Sequence, residues 1–284
     1  MNAYINERIV KIMQQTNTFL AEQARKIRIG IIEGVYRAAS GHPGGSLSIA
    51  DLMAYLYFEE MNIEPSEPKK ADRDRFVLSK GHAAPALYST LANRGYFPVD
   101  DLKSLRQIDS YLQGHPDMKG TPGVDMSTGS LGLGISAACG MALSAKVSND
   151  SYRVYSVIGD GESEEGQVWE AAMFAAHYKL DNLCVFLDYN GLQIDGTVAD
   201  VIGPAPFKEK FEAFGWNAIE IDGHDFDAIR NAAASARECK GKPTVVIMKT
   251  VKGRGVSFME NQVSWHGSAP KEEQYKLALE ELGA

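Results

Sequence analysis

Residues 154–194 constrain the fold of this chain more than any other stretch. Two short apolar, β-rich runs, 154–158 and 183–187, flank an Ala-rich segment of helical length, which predicts a βαβ unit with two parallel neighbouring strands. Asp160, within Gly159-Asp160-Gly161, stands just past the end of the first run, and Asn190 just past the second. Ligands of open parallel sheets collect at the carboxyl ends of strands, and neighbouring strands lie about 4.8 Å apart. One carboxylate and one amide oxygen therefore converge on a point. Hard oxygen donors with room for phosphate oxygens and water suit Mg²⁺ at roughly 2.0–2.1 Å. The glycines beside Asp160 let a phosphate approach the backbone. Taken alone, the pattern fits an ordinary strand, loop and acidic helix start equally well.

The rest of the chain extends the same rhythm. Ile27, Ile31 and Val35 recur at helical spacing over 24–39 and stop at Ser40-Gly41. A helix is predicted over 48–59, a strand over 76–79, a helix from His82, a polar helix over 100–107 and a small-residue helix over 135–146. Further on come helices at 207–214 and 226–238, strands at 218–221 and 244–248, and a charged terminal helix from Pro270. The expected fold is α/β: a doubly wound, mostly parallel sheet with helices on both faces. Residues 1–284 read as a single domain, with 1–23 as an N-terminal helical extension packing on the domain or on a partner. The stretch from Gly114 to Ser127 is long and irregular, which in a compact domain points to function.

Charge and composition remove several classes. Against 29 Lys and Arg stand 37 Asp and Glu, giving a formal charge of −8, with no basic run or aromatic-basic patch, so nucleic acid is not an expected partner. No apolar run approaches the roughly 18 residues that span a bilayer, and no secretory leader core is visible, so no membrane is expected and the expected location is cytoplasmic. Cys139, Cys184 and Cys239 are odd in number and far apart, which argues against a disulfide framework or a zinc site.

Chemistry concentrates in Gly-flanked loops. His42, His82, His115, His224 and His266 each have a Gly neighbour at a loop or element end, whereas His177 falls inside a helix and reads as structural. Several loop histidines on one scaffold suit proton exchange near neutral pH. Gly129-Ser130-Leu131-Gly132-Leu133-Gly134 has G-x-x-G-x-G spacing and no preceding apolar strand, so it is not the dinucleotide fingerprint. Glu162, Glu164 and Glu165 crowd a helix start, where the helix dipole accounts for two of them. Four acids beside a diphosphate would repel it, and a divalent cation on Asp160 and Asn190 removes that conflict. Asp222-Gly223-His224-Asp225 reads as a turn capping the next helix, and Lys252 and Arg254 as a solvated loop.

Together the motifs resemble the N-terminal, diphosphate-binding half of transketolase, and especially the separate N-terminal subunit of two-chain transketolases. The likeness runs from Ser40 to Pro270 through Ser40-Gly41-His42-Pro43-Gly44-Gly45, Leu78-Ser79-Lys80-Gly81-His82, Gln113-Gly114-His115-Pro116-Asp117, Ser127-Thr128-Gly129-Ser130-Leu131-Gly132, Gly159-Asp160-Gly161, Asn190 with Ile194-Asp195-Gly196, and Trp265-His266-Gly267. The resemblance implies that Asp160, Asn190 and the backbone carbonyl of Leu192 bind Mg²⁺, or a substitute such as Ca²⁺ or Mn²⁺. It implies that His82, Gly129, Ser130, Leu131, Gly161, Ile194 and His266 line thiamine diphosphate, and that His42, His82, His115 and His266 face the sugar. Glu165 matches an acid at the family's subunit interface. The implied reaction moves a two-carbon ketol unit from a ketose, by default a sugar phosphate of the pentose phosphate pathway, to an aldose.

Leu133 stands where many family members have Gln, and Ser46 where full-length forms usually have Pro. Family enzymes also carry a domain that holds the cofactor's pyrimidine ring and its activating Glu. This chain is expected to lack it and to work with a separate C-terminal subunit in an α2β2 assembly. A second reading is another two-chain thiamine diphosphate enzyme, such as a 2-oxo acid dehydrogenase α subunit or a deoxyxylulose phosphate synthase relative. Those share Gly-Asp-Gly and Asn but neither Gly41-His42-Pro43-Gly44-Gly45 nor Trp265-His266-Gly267. A third is a non-catalytic cofactor-binding subunit, against which the intact loop histidines argue.

Overall fold

Nearly unbroken apolar runs along the central strands build a sheet buried on both faces. The computed structural model describes residues 2–284, with side chains from residue 16 onward. In chain order, helices α1 (Asn2–Ala38), α2 (Pro43–Leu47) and α3 (Ala50–Tyr55) precede strand β1 (Arg75–Leu78), followed by α4 (Ala84–Arg94) and α5 (Leu133–Ser148). Then come β2 (Val154–Gly159), α6 (Gly166–His177), β3 (Leu183–Tyr189), the small hairpin β4 (Leu192–Gln193) and β5 (Gly196–Thr197), α7 (Val198–Val201) and α8 (Phe207–Ala213). The chain closes with β6 (Asn217–Asp222), α9 (Phe226–Glu238), β7 (Thr244–Lys249) and α10 (Glu272–Glu281).

Five strands form one parallel sheet in the order β1-β2-β3-β7-β6. Within it, Phe76, Leu78, Tyr155, Val157, Cys184, Phe186, Val246 and Met248 face one core, which α1, α3, α4 and α9 cover. The alternate residues Val77, Val154, Ile158, Val185, Leu187, Val245 and Ile247 face the other, under α5, α6 and α8. This period-2 division is what a strand sandwiched between helix layers requires. The doubly wound α/β fold expected from the sequence is the one observed.

Some boundaries moved for physical reasons. The extension expected over 1–23 and the helix expected over 24–39 are one continuous helix, and Leu20 and Gln23 are already buried before the anticipated junction. Of the packing expected for the first 23 residues, that of positions before 16 lies outside the described side chains. The helix expected over 48–59 changes to a wider π turn at Leu56–Glu60, where Glu60 accepts hydrogen bonds from Tyr55, Tyr155 and Arg237. Over 100–107 there is only a 3₁₀ stretch, Val99–Ser104: Leu102 is its one buried side chain, and Leu105, buried as well, has already left the helical region. The irregular segment after it runs on to the start of α5.

Candidate active site

The loops leaving β1, β2, β3 and β7 meet over the carboxyl edge of the sheet and enclose a cavity of about 300 Å³. Strand register places Gly159 beside Asp188, so Asp160 and Asn190 emerge next to each other. Asp160 accepts from the Gly161 amide at 2.8 Å and, through its other oxygen, from the Gly191 amide at 2.6 Å. Burial, with Asp188 nearby, pushes its carboxyl up to about 7, against the pull of those two amides. Asn190 donates its Nδ2 to Asp188 at 2.8 Å, which turns its amide oxygen the other way, to accept from the Leu192 amide at 3.1 Å. The Leu192 carbonyl accepts from Lys252 Nζ at 2.8 Å.

Beneath this rim lies a buried polar layer. Lys80, 2 % exposed, donates to Asp188 at 2.6 Å and to the Gly45 carbonyl at 2.7 Å. Asp188 also accepts from Ser48, at 2.7 Å, and from Thr250. Burial alone would raise its carboxyl, but the Lys80 ammonium and these hydroxyls hold it below the ordinary range. Glu162, equally enclosed, accepts from Ser79 Oγ and from the amides of Gly132 and Gly159 at 2.9 Å. It ties the Gly129–Gly132 loop to the end of β2. Burial pushes its carboxyl up.

Over the other wall stand three histidines. The ring centroids of His42, His82 and His266 lie 5.2 to 5.4 Å apart, with His82 and His266 stacked. Burial, reinforced by Lys252 and other cations, pushes His42 down to about 4 and His266 down to about 3, and holds His82 well below its usual value. All three are neutral at neutral pH, each with one N–H donor and one acceptor nitrogen. Lys252 Nζ lies 3.0 Å from His266 Nδ1. An ammonium only donates, so Nδ1 is the acceptor and Nε2 of His266 carries the proton. His42 Nδ1 is buried with no hydrogen-bond partner among the described residues, a donor or acceptor left for something else.

The cavity gathers most of the residues singled out from the sequence. His42, His82, Gly129, Leu131, Asp160, Gly161, Asn190, Leu192, Ile194 and His266 all line it. Ser130 does not and is exposed. His115 lies against Gly129, where an added Cβ would sit 3.2 Å from the ring, but outside the lining. Glu165 stands at the N-terminal boundary of α6 without a capping hydrogen bond from its side chain, exposed beside Gly132. Ser46 donates to the His42 carbonyl at 2.7 Å and so steadies that loop, while Leu133 is exposed at the start of α5.

Two readings are corrected. Lys252 is not a solvated loop residue: it is 2 % exposed, and burial beside Lys80 lowers its ammonium to about 8. Glu162 does more than complement a helix dipole, being the buried acceptor of three bonds. The turn Asp222–Asp225 caps α9 as expected, through Asp225, which accepts from the amides of Asp227 and Ala228. Lys80, Asp188 and Gln193 also line the cavity and were not singled out. Lys80 lies inside the motif Leu78-Ser79-Lys80-Gly81-His82, and its position at the end of an apolar strand was the available signal.

The donor set matches what a diphosphate with a divalent cation requires. One carboxylate, one amide oxygen and one carbonyl are the hard oxygens Mg²⁺ takes. Lys252 and Lys80 supply positive charge to an otherwise acidic rim. At Gly161 a Cβ would come 3.0 Å from Gln193 Oε1 and 3.1 Å from Gln193 Cβ, so a larger residue would have to displace the Gln193 side chain. The residues fit.

Comparison with known proteins agrees with this geometry. The family described as "Transketolase, thiamine diphosphate binding domain" matches residues 20–284. The chain is 46% identical over 270 residues to the 6-deoxy-6-sulfo-D-fructose transketolase subunit of Clostridium sp. strain MSTE9, covering 95% of this chain and 98% of that one. It is 41% identical over 260 residues to a subunit of the apulose-4-phosphate transketolase of Phocaeicola vulgatus, covering 92% of each. Among solved structures, transketolase from Campylobacter jejuni superposes with a TM-score of 0.88 at 35% identity, over 94% of this chain and 43% of that one. The chain thus spans nearly all of the two subunits and about two fifths of that longer enzyme.

Proposed function

Because the chain belongs to the transketolase family, as its thiamine diphosphate-binding part, we propose that it is the N-terminal subunit of a two-chain enzyme performing Mg²⁺-dependent ketol transfer. The observation that carries this is the meeting, in one cavity, of the Asp160, Asn190 and Leu192 oxygens with the neutral His42, His82 and His266 cluster. Asp160, Asn190 and the Leu192 carbonyl would hold the cation, and Lys252 and the backbone at Gly161 would face the diphosphate. Bound thiamine diphosphate supplies an electron sink for breaking the bond between C2 and C3 of a ketose.

The chain's own residues do the rest. His42, His82 and His266 orient the sugar's carbonyl and hydroxyl oxygens and move protons between them, and neutrality lets each donate and accept in turn. His115 and the Gly129–Leu131 loop border the cofactor. Substrates are a ketose donor and an aldose acceptor. The names of the two subunit relatives cite a sulfonated and a phosphorylated sugar, which supports sugars with an anionic end, read by the partner's half of the site.

A second chain has a surface to cover. Leu131, Leu133, Met173, Phe174 and Ile194 are exposed on α5, α6 and the loops at the cavity. A partner bringing the pyrimidine-binding half would bury them, in an α2β2 assembly. The test has two parts. Thiamine diphosphate should raise the melting temperature of the chain only when Mg²⁺ is present, and ketol transfer should appear only on adding the partner. Full activity of the chain alone, or stabilisation without a divalent cation, would overturn the reading.

A further inference from the structure

Resting on the reading that this cavity binds thiamine diphosphate, we propose that His224 is a positioning residue: it sets the loop after β7 so that Lys252 points into the site. His224 does not line the cavity. It sits in the turn after β6, where its own amide donates to Asp222 at 2.8 Å, and its ring spans from α3 to the loop after β7. The Val251 amide donates to Nε2 at 2.9 Å. A backbone N–H can only donate, so Nε2 is bare, Nδ1 carries the proton, and Nδ1 donates to Asp51 at 2.7 Å.

Asp51 is held in turn by Arg28 from α1, whose two terminal nitrogens donate at 3.0 and 2.6 Å. Burial works against ionising Asp51, yet Arg28 and the bond from His224 keep its carboxyl below the ordinary range. Arg28 Nε also donates to the Arg254 carbonyl at 3.0 Å. The assembly therefore grips the loop on both sides of Lys252, at Val251 ahead of it and Arg254 behind. Between these points the Lys252 carbonyl accepts from Asn261 at 2.9 Å, and the Gly253 amide donates to Gly44 at 3.0 Å. Gly253 has φ +82, and a Cβ there would come 2.3 Å from the Met259 carbonyl, so the loop has no room to slide. A lysine has four rotatable bonds. Only a fixed backbone lets its ammonium meet both Leu192 O and His266 Nδ1.

The experiment titrates thiamine diphosphate, at saturating Mg²⁺, into the full chain and its variants by calorimetry. H224N keeps a donor for Asp51 but offers Val251 nothing, while H224Q returns an oxygen acceptor to the Val251 amide. H224N should weaken binding about tenfold, the scale seen when a group behind a ligand is removed, and H224Q should restore most of it. K252M should weaken binding at least as much, and adding H224N to it should cost nothing further, because the effect passes through Lys252. Without cofactor, amide exchange over residues 250–255 should be faster in H224N and restored in H224Q. Unchanged binding by folded H224N, or additive losses in the double variant, would overturn the positioning role while leaving the cofactor reading intact. Should H224N not fold, H224Q decides: a folded H224Q as weak as K252M overturns it. A wild-type chain that binds no thiamine diphosphate overturns the underlying reading and this one with it.

Discussion

At the scale of single residues, Asp160 is the proposed cation ligand whose protonation would govern metal binding. Its carboxyl, held up at about 7 by burial and by Asp188, must lose a proton before it can ligate a metal. Mg²⁺-dependent binding of thiamine diphosphate should therefore weaken as pH falls below about 7, by up to roughly tenfold per unit, and level off above it. Calorimetric titration from pH 5.5 to 8.5 measures this, and a flat profile would contradict it. The sign for stability is the opposite of an ordinary salt-bridged carboxylate. Between its usual 3.8 and about 7, the folded chain holds a proton that the unfolded chain has released, so this group's contribution declines as pH rises through that window. Asp160 and Asn190 were legible in the sequence because each follows an apolar run that can only be a buried strand. Lys80, Asp188 and Lys252 were not: a charged side chain reads as solvated until tertiary packing encloses it, and nothing local to any of the three announces a partner 14 to 108 positions away.

Elements are fixed here by close approach and by a few buried acceptors. At Gly134 a Cβ would come within 2.5 Å of the Ser79 backbone, so α5 lies directly on the chain leaving β1. Gly134→Ala must push the helix outward, at a cost of about 1–3 kcal/mol, and the measure is the midpoint of urea unfolding. Glu60 works at a longer reach, tying the π turn to β2 through Tyr155 and to α9 through Arg237. Burial resists its charge, but Arg237 and the two tyrosines hold its carboxyl below its ordinary 4.5. The stability it supplies is present above pH 4.5 and disappears on acidification through its folded value. Glu60→Gln should thus lower the melting temperature at pH 7, and the gap to wild type should narrow below pH 4.5 in a thermal series. The strands were readable because burial on both faces leaves short, nearly unbroken apolar runs in the sequence. Helix ends were less so: the π turn depends on Tyr155 and Arg237, which come from distant elements, and 100–107 had polar composition without the apolar stripe that holds a full helix.

For the molecule as a whole, apolar side chains stand in water on two helices, Met173 and Phe174 on α6 and Leu133 on α5, and these belong to the surface proposed for a second subunit. Met173→Lys should weaken association with that subunit about tenfold while leaving the Mg²⁺-dependent thermal shift of the chain unchanged, as sedimentation and melting measurements would separate. The lone chain should also self-associate at high concentration, and the partner should suppress this. Finally, the contact between Lys252 and the Leu192 carbonyl bears on how the cavity fills. That carbonyl is also a donor proposed for the metal, so a cation arriving there meets a resident ammonium and loading becomes an exchange of one positive charge for another. The rim is internally neutralised before the cofactor arrives. Its shape should be largely preformed, with Gly191–Gln193 amides protected from exchange without ligand, and its affinity for Mg²⁺ alone should be low, rising when the diphosphate gives the displaced lysine a new counter-charge.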